Sequence, residues 1–460
     1  MIRAEASASQ QFAELVAEYS SRPVPPEVSA VMIDDIIDII GCAVWGYETA
    51  WGRRMVSYVE GLGLPGPAPV WGSNLSAPPA QAALALGTLG HAIDFDDYHP
   101  AGKIHPATIV IPAAVSLASA IGCTGQQLIN AIALGFEVMI RTSLGTGSVA
   151  GMLNGYHMTG ITGGVGAAAA CASWMGLDAE ATANAIGLGA TQSAGLMGFI
   201  HEGSDTKRIH AGHAAEVGIA SAGMAAVGLT AAPHMLDMPH GGFMSAHSPE
   251  SAPARATADL GTRWHTAEVS FKRYSCCGSI HSSLEAVGHI VASSGLSPED
   301  VDRITVLQSL AVLRQCGWEY QPTDATHAQM SMQYCVAVFL LDGDVLPEQF
   351  RDDRLAAPDV LDLARRVHVV EDEEMNALYP AQFASRVVVE AGGRTFEHMC
   401  PSPSGSVSNP MSAEQLESKF RKLTARRLGQ QQADQVIDAA RGLPDAGDLA
   451  ALLEPLGVAR

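Results

Sequence analysis

Positive charge is what this chain has least of. Its 460 residues carry 27 Lys+Arg against 48 Asp+Glu, a formal net charge of −21. So acidic a surface repels nucleic acid and anionic membranes, and no basic run offers a local exception. Cysteine patterns that hold metals are missing as well. The eight cysteines (Cys42, Cys123, Cys171, Cys276, Cys277, Cys316, Cys335, Cys400) form no C-x-x-C pair and no zinc or iron–sulfur spacing. A cytoplasmic protein with reduced thiols is the expectation. The first residues, Met1-Ile-Arg-Ala-Glu-Ala-Ser7, lack the apolar core and cleavage site of a secretory signal. Apolar stretches such as Ala107–Ile121 are short and small-residue-rich, which suits buried helices better than membrane spans. No G-x-G-x-x-G follows a strand, and Walker A, H-E-x-x-H and G-x-S-x-G motifs are absent. Nicotinamide, ATP, zinc-peptidase and serine-hydrolase readings therefore have no support.

What the chain does have is apolar bulk: 47% hydrophobic residues, 16% charged, mean hydropathy +0.14. That composition predicts a large, well-buried protein of two or three domains, with further apolar surface covered in an oligomer. Helical patterns dominate the first ~260 residues. They predict helices over about 27–45, 80–94, 107–121, 124–144, 157–174, 179–193 and 213–228. Small residues such as those of Gly163–Ala170 let helix axes approach closely, and no alternating strand pattern appears, so a doubly wound sheet is disfavoured. From about residue 265 the pattern changes. Strands are predicted at 304–311, 367–370 and 386–390, the last entering a hairpin with Gly392-Gly393 in its turn. Helices are predicted at 279–294, 329–341 and 412–426. The fold class expected is mainly α, a large all-helical domain plus a smaller α+β domain.

Titratable residues gather in four places. Gly90–Pro106 packs Asp94, Asp96, Asp97, three histidines and Lys103 between two apolar runs. So many ionisable groups at one helix end need each other or a ligand. His105-Pro106 opens the following helix, placing His105 beside amides suited to an anion. Asn154-Gly-Tyr-His157 leads into a Gly/Ala helix, where His157 is either a cap or a functional imidazole. Lys207-Arg208 sits in a Gly/Ser loop before a helix of small residues and suits a carboxylate anchor. Val269–His281 holds Lys272, Arg273, Cys276, Cys277 and His281 at the boundary between the two patterns, where clefts form. Together these point to acid–base chemistry on a small polycarboxylate.

The motifs resemble those of the MmgE/PrpD family: His91-Ala-Ile-Asp94-Phe-Asp-Asp97 followed by His105-Pro106, and Ser204-x-x-Lys207-Arg-x-x-x-Gly212-x-Ala214-Ala215. Phe271-Lys272 with His281, Ser331-Met-Gln-Tyr334 running to Gly343, and Gly405-Ser-x-x-Asn409-Pro-Met-Ser412 match in the same order. The family includes 2-methylcitrate dehydratase, cis-aconitate decarboxylase and iminodisuccinate epimerase. The resemblance implies an all-helical domain (1–265, completed by 400–460), an α+β lid (266–399), a homodimer, and no metal or organic cofactor. It places catalytic roles on Asp94, His105, His157, Lys207 and Lys272, with Tyr98, Arg273 and Cys277 contacting substrate. Departures exist. The dehydratase branch has Asn-Asp-Thr where Asp96-Asp97-Tyr98 stands and His-Pro-Ser-Asp-Asn where this chain has His105-Pro-Ala-Thr108. The decarboxylase branch has Thr at Tyr98, His at Cys277, and a lid-strand Tyr near Leu313-Arg314. The expected activity is a lyase acting on a small hydroxy-di- or tricarboxylate through a carboxylate-stabilised carbanion. Lys207 and Lys272 hold carboxylates, His105 or His157 moves the proton, and Asp94 orients His105. An epimerase of an iminodisuccinate-like acid and a non-catalytic polycarboxylate binder are the alternatives.

Overall fold

The structure, a computed structural model, describes residues 6–202 and 204–457. The readings that touch Met1–Glu5, Gly203 and Val458–Arg460 lie outside the described residues. The chain is mainly helical. Pro25 and Pro26 start the helix Pro26–Gly46, whose Val28, Met32, Ile36, Ile39 and Ile40 are fully buried. Proline suits that first turn because its missing N–H has no partner there anyway. Pro106 at the N-cap and Gly122 at φ 82° bound the helix Ala107–Ile121, as the sequence predicts.

Around this core pack Gly125–Thr146, Met158–Trp174, Ala179–Thr191 and Thr206–Ala226. Thr206–Ala226 crosses Pro79–Gly90 through glycine: a Cβ on Gly212 would stand 2.1 Å from the Leu84 carbonyl oxygen. Only a residue without a side chain allows that approach. It matters because Pro79–Gly90 ends, and Thr206–Ala226 begins, at the candidate site.

Two hydrophobic clusters form. One joins residues between Ala8 and Val269 with Phe420–Leu456. The other joins Tyr274–Cys400 with Phe199 and Ile200. The second surrounds a four-stranded sheet in the order Val367–Glu371, Val301–Gln308, Ser385–Ala391, Arg394–Cys400. The first pair is parallel and the others antiparallel. Gly392 and Gly393, both at positive φ, make the predicted hairpin turn.

Three boundaries differ from expectation. Helix 80–94 stops at Gly90, and Asp94 adopts φ 49°. Tertiary bonds to Asp94 take it out of the helix, as shown below. The helix expected from 213 begins at Thr206, so Lys207 and Arg208 lie in its first turn and not in a loop. The strand expected to reach 311 ends at Gln308. Ser309 then caps a helix, Leu310–Cys316, by accepting from the Val312 N–H. Leu313-Arg314 therefore stands on a helix, and Arg314 is exposed.

Candidate active site

Asp94, Tyr98, Lys103, His105, His157, Lys207, Lys272 and Cys277 line one cavity of ≈ 80 Å³, with Phe199, Gln315 and Phe383 on its walls. Asp94 is its electrostatic centre. The Oδ1 atom lies 2.8 Å from Lys207 Nζ and 2.6 Å from Lys272 Nζ. Lys272 also donates to the Asp94 carbonyl at 3.0 Å. Burial favours the neutral acid, but the two ammonium groups outweigh it and hold the carboxyl well below its usual range. Lys272 is fully buried; burial opposes its charge, yet Asp94 and Asp96 keep its amine above the ordinary value.

Asp96, two residues on, faces histidines instead. Its Oδ2 lies 2.8 Å from His91 Nδ1 and 3.4 Å from His105 Nδ1. Burial raises this carboxyl, and the two imidazoles outweigh burial to bring it well down. His105 Nδ1 also lies 2.6 Å from the Asp97 carbonyl oxygen. A carbonyl only accepts, so Nδ1 carries the proton and Nε2 is the exchangeable end. The expectation that Asp94 orients His105 is thus corrected: Asp96 and the Asp97 carbonyl do so, because the lysines occupy Asp94. Nor is the Ala107 amide open to a ligand. Asp97 Oδ1 accepts from the Ala107 N–H at 3.1 Å. Burial, with Asp96 and Asp38, pushes the Asp97 carboxyl up.

His157 sits at the N-cap of Met158–Trp174 but makes no side-chain capping bond. Its Nδ1 lies 3.1 Å from His210 Nδ1, and its ring stacks on His91 with centroids 6.0 Å apart. One of the two Nδ1 atoms must donate and the other accept, so the tautomers of His157 and His210 are coupled. Burial first, then His210, His91 and Lys207, lower His157 well below 6.5. Burial, against Asp96, takes His91 to about 4. Both are neutral imidazoles at neutral pH.

Tyr98 and Cys277 close the wall. Burial raises the Tyr98 phenol to about 12. A hydrogen bond with Cys316 lowers the Cys277 thiol to about 6, against the effect of burial. Arg273 is not in the cavity. It forms a two-pronged pair with Asp344 at 3.0 and 3.1 Å and faces a separate groove beside Trp45 and Phe95. Lys272 turns toward Asp94 and Arg273 toward Asp344. His281 lies behind the wall, 3.4 Å from the Cys276 carbonyl oxygen, and burial takes it to about 3.

Sequence reasoning missed four contributors. Asp96 and His210 lie in segments singled out above, and nothing in their spacing marked them over Asp94 and Lys207. Lys103 was noted only as part of its cluster. Lys419, from the helix Ala413–Thr424, bonds the Phe95 and Lys272 carbonyls at 2.6 and 3.1 Å and pairs with Asp38 at 2.7 Å. It fastens the two site segments to the core from 147 residues or more away, which no local pattern reveals.

The chain has only five lysines, and Lys103, Lys207 and Lys272 all line this cavity beside a single carboxylate, Asp94. Three of the five lysines thus meet in one pocket, a chemistry that receives anions. His91, Asp94, Asp96 and His105 have donor atoms within 4.8 Å of one another, as a cation site needs. Here, however, two ammonium groups already occupy Asp94 Oδ1. A second such group, His99, His265 and Glu268, is neutralised by Arg263 at 2.6 Å from Glu268.

Comparison with known sequences gives concordant results. The family model for the MmgE/PrpD N-terminal domain matches residues 10–256, and that for the MmgE/PrpD C-terminal domain matches residues 274–443. The chain is 29% identical over 477 aligned positions to a cis-aconitate decarboxylase of Aspergillus terreus, covering 98% of this chain and 96% of the relative. It is 28% identical over 434 positions to cis-aconitate decarboxylase of Homo sapiens, covering 91% and 88%. The Mus musculus protein of that name is 26% identical over 437 positions, covering 91% and 86%.

Proposed function

Because this chain belongs to the MmgE/PrpD family, we propose that it is a lyase that decarboxylates a small tricarboxylate of the cis-aconitate kind. The observation that carries this reading is the surplus of ammonium groups over carboxylate in a pocket that also holds three histidines. Loss of CO₂ breaks a C–C bond and leaves its electron pair on the carbon skeleton. A neighbouring carboxylate delocalises that pair only if its growing negative charge is met. Lys207 and Lys272 supply the charge, in a site where little water screens it. The carbanion then takes a proton. His105 is the proposed donor through Nε2, with Asp96 stabilising its imidazolium; His157 is kept neutral and orients the substrate. Residues 266–399 act as the lid. The names of the full-length relatives support decarboxylation over the other family chemistries.

A second reading has its own support. Tyr98 presents a buried phenol that stays protonated at neutral pH. Such a group donates to a leaving hydroxide, and the same lysines serve dehydration of a hydroxytricarboxylate. Incubation with cis-aconitate, 2-methylcitrate and iminodisuccinate in deuterated water, followed by NMR, separates the cases. Decarboxylation gives a product short of CO₂ with one deuterium on carbon. Loss of water from 2-methylcitrate selects the second reading, and deuterium exchange without loss of mass selects an epimerase. No change in any acid leaves a binder and sinks the proposal. A homodimer and turnover by side chains alone belong to the same proposal. Light scattering and activity after chelation check them.

A further inference from the structure

Each cavity lysine but one has a carboxylate beside it. Lys207 and Lys272 share Asp94. Lys103 has none: its Nζ is buried and makes no hydrogen bond, and the acidic group acting on it is the Cys277 thiol. The amine lies 4.0 Å from the ring centroid of Phe383 and 4.1 Å from that of Tyr379. Two ring faces attract a cation but offer its three N–H donors no lone pair. The backbone goes to some trouble to put it there. Lys103 adopts φ 56°, a left-handed conformation rare for a residue with a long side chain. Asp94, the centre of the site, is another of the three such residues described. An aromatic pair and a strained turn that together hold an unsatisfied amine in the wall of a polar cavity are costly unless something arrives to meet it.

The geometry points to Lys103 as the residue that binds the carboxylate of the substrate remote from the one held by Lys207 and Lys272, so that the pocket selects a tricarboxylate over a dicarboxylate. This deepens, and rests on, the polycarboxylate reading above. An entering carboxylate supplies the acceptors that the rings lack, and Phe383 and Tyr379 keep water from competing. Burial, opposed by Cys277, brings the Lys103 amine down to about 7 in the empty pocket. Cys277, Tyr379 and His99 are the titratable groups around it; Asp94, Tyr98, His105, His157, Lys207 and Lys272 are the others in the cavity. A carboxylate arriving above neutrality therefore draws a proton onto Lys103 from solvent.

The test uses three non-reacting acids: propane-1,2,3-tricarboxylate, and glutarate and methylsuccinate, which each lack one of its carboxylates. Titration calorimetry at about pH 8 in buffers of different ionisation heat gives affinity and protons taken up. The wild-type protein is expected to prefer the tricarboxylate and to take up about one proton more than Lys103→Met does. Lys103→Met is expected to lose about 10- to 100-fold in affinity for the tricarboxylate and less than about 3-fold for one of the two dicarboxylates. Equal affinities and equal proton uptake in the two proteins overturn the inference while the polycarboxylate reading stands. A wild-type protein that binds none of the three overturns both. A measurement on the unaltered chain covers a variant that fails to fold. Cyanate carbamylates neutral amines, so peptide mapping at neutral pH should find modification of Lys103 slowed by propane-1,2,3-tricarboxylate, while that of the exposed Lys422 is unchanged. Modification unaffected by saturating tricarboxylate overturns the assignment.

Discussion

The two walls of the cavity are built on opposite principles. The wall from the helical core is built on paired polar groups, with Lys103 the exception: Asp94 with two lysines, Asp96 with two imidazoles, Lys419 tying both segments to Asp38. The wall from residues 274–400 offers Gly278, Gln315 and Phe383, with Tyr379 behind, and the Cys277 thiol as its acidic group. Fixed charges that already face each other need no reorganisation when a substrate arrives, which is the condition for stabilising a developing carbanion. A wall without Lys, Arg, Asp or Glu contributes shape and excludes water. The difference teaches where substitutions should hurt chemistry and where they should alter selectivity.

The sharpest way to break this contrast is Asp94→Asn. It strands two buried ammonium groups, so stability should fall by about 3–5 kcal/mol in urea denaturation. Turnover of any accepted acid should fall at least about 100-fold. A folded variant with near-normal turnover would remove Asp94 from the centre of the site. Asp96→Asn should come next, with kcat down by about 100-fold and the pH profile displaced, because the His105 imidazolium loses its counter-charge. An unaltered profile would separate Asp96 from proton transfer.

The histidines sharpen the comparison through pH. His91 titrates near 4 in the fold, and His99 near 3, both lowered chiefly by burial. The unfolded chain binds those protons near 6.5, so the stability of the neutral form is complete above that value. It is lost as pH falls from 6.5 toward 4 and then 3. Denaturation midpoints measured stepwise over that window should drop steadily; a flat response above pH 5 contradicts the assignment. On the opposite wall, Cys277→Ser should change kcat/KM by less than about 10-fold, since the thiol shapes the pocket and carries no proton in the proposed chemistry. The smallest effect belongs to Arg273→Ala. Its pair with Asp344 is partly exposed and lies outside the cavity, so kinetics should stay within about 2-fold and stability within about 1 kcal/mol.

Much of the fold was legible because its signals are local. Pro106 and Gly122 bracket Ala107–Ile121, and Gly392-Gly393 announces its hairpin. Errors arose where a cap was disguised. Thr206 begins a helix inside a polar stretch that reads as loop, and Ser309 turns a strand pattern into a helix within one residue. The members of the site were largely legible too, as unusual charge in a cation-poor chain. Their partners were not. Asp94 and Asp96 look interchangeable in sequence, yet one faces lysines and the other imidazoles. Arg273 looked as eligible as Lys272.

The amino-acid order by itself determined the helical class, the family motifs and the inventory of ionisable groups, because periodicity, turn chemistry and composition act over a few residues. Tertiary structure alone decided which carboxylate meets which cation. Those pairings span 113 residues between Asp94 and Lys207, and 178 between Asp94 and Lys272. They depend on the direction a side chain takes from a particular backbone turn. Electrostatic energy falls off with distance in space, not along the chain, so it is settled only once packing has fixed where each charge stands.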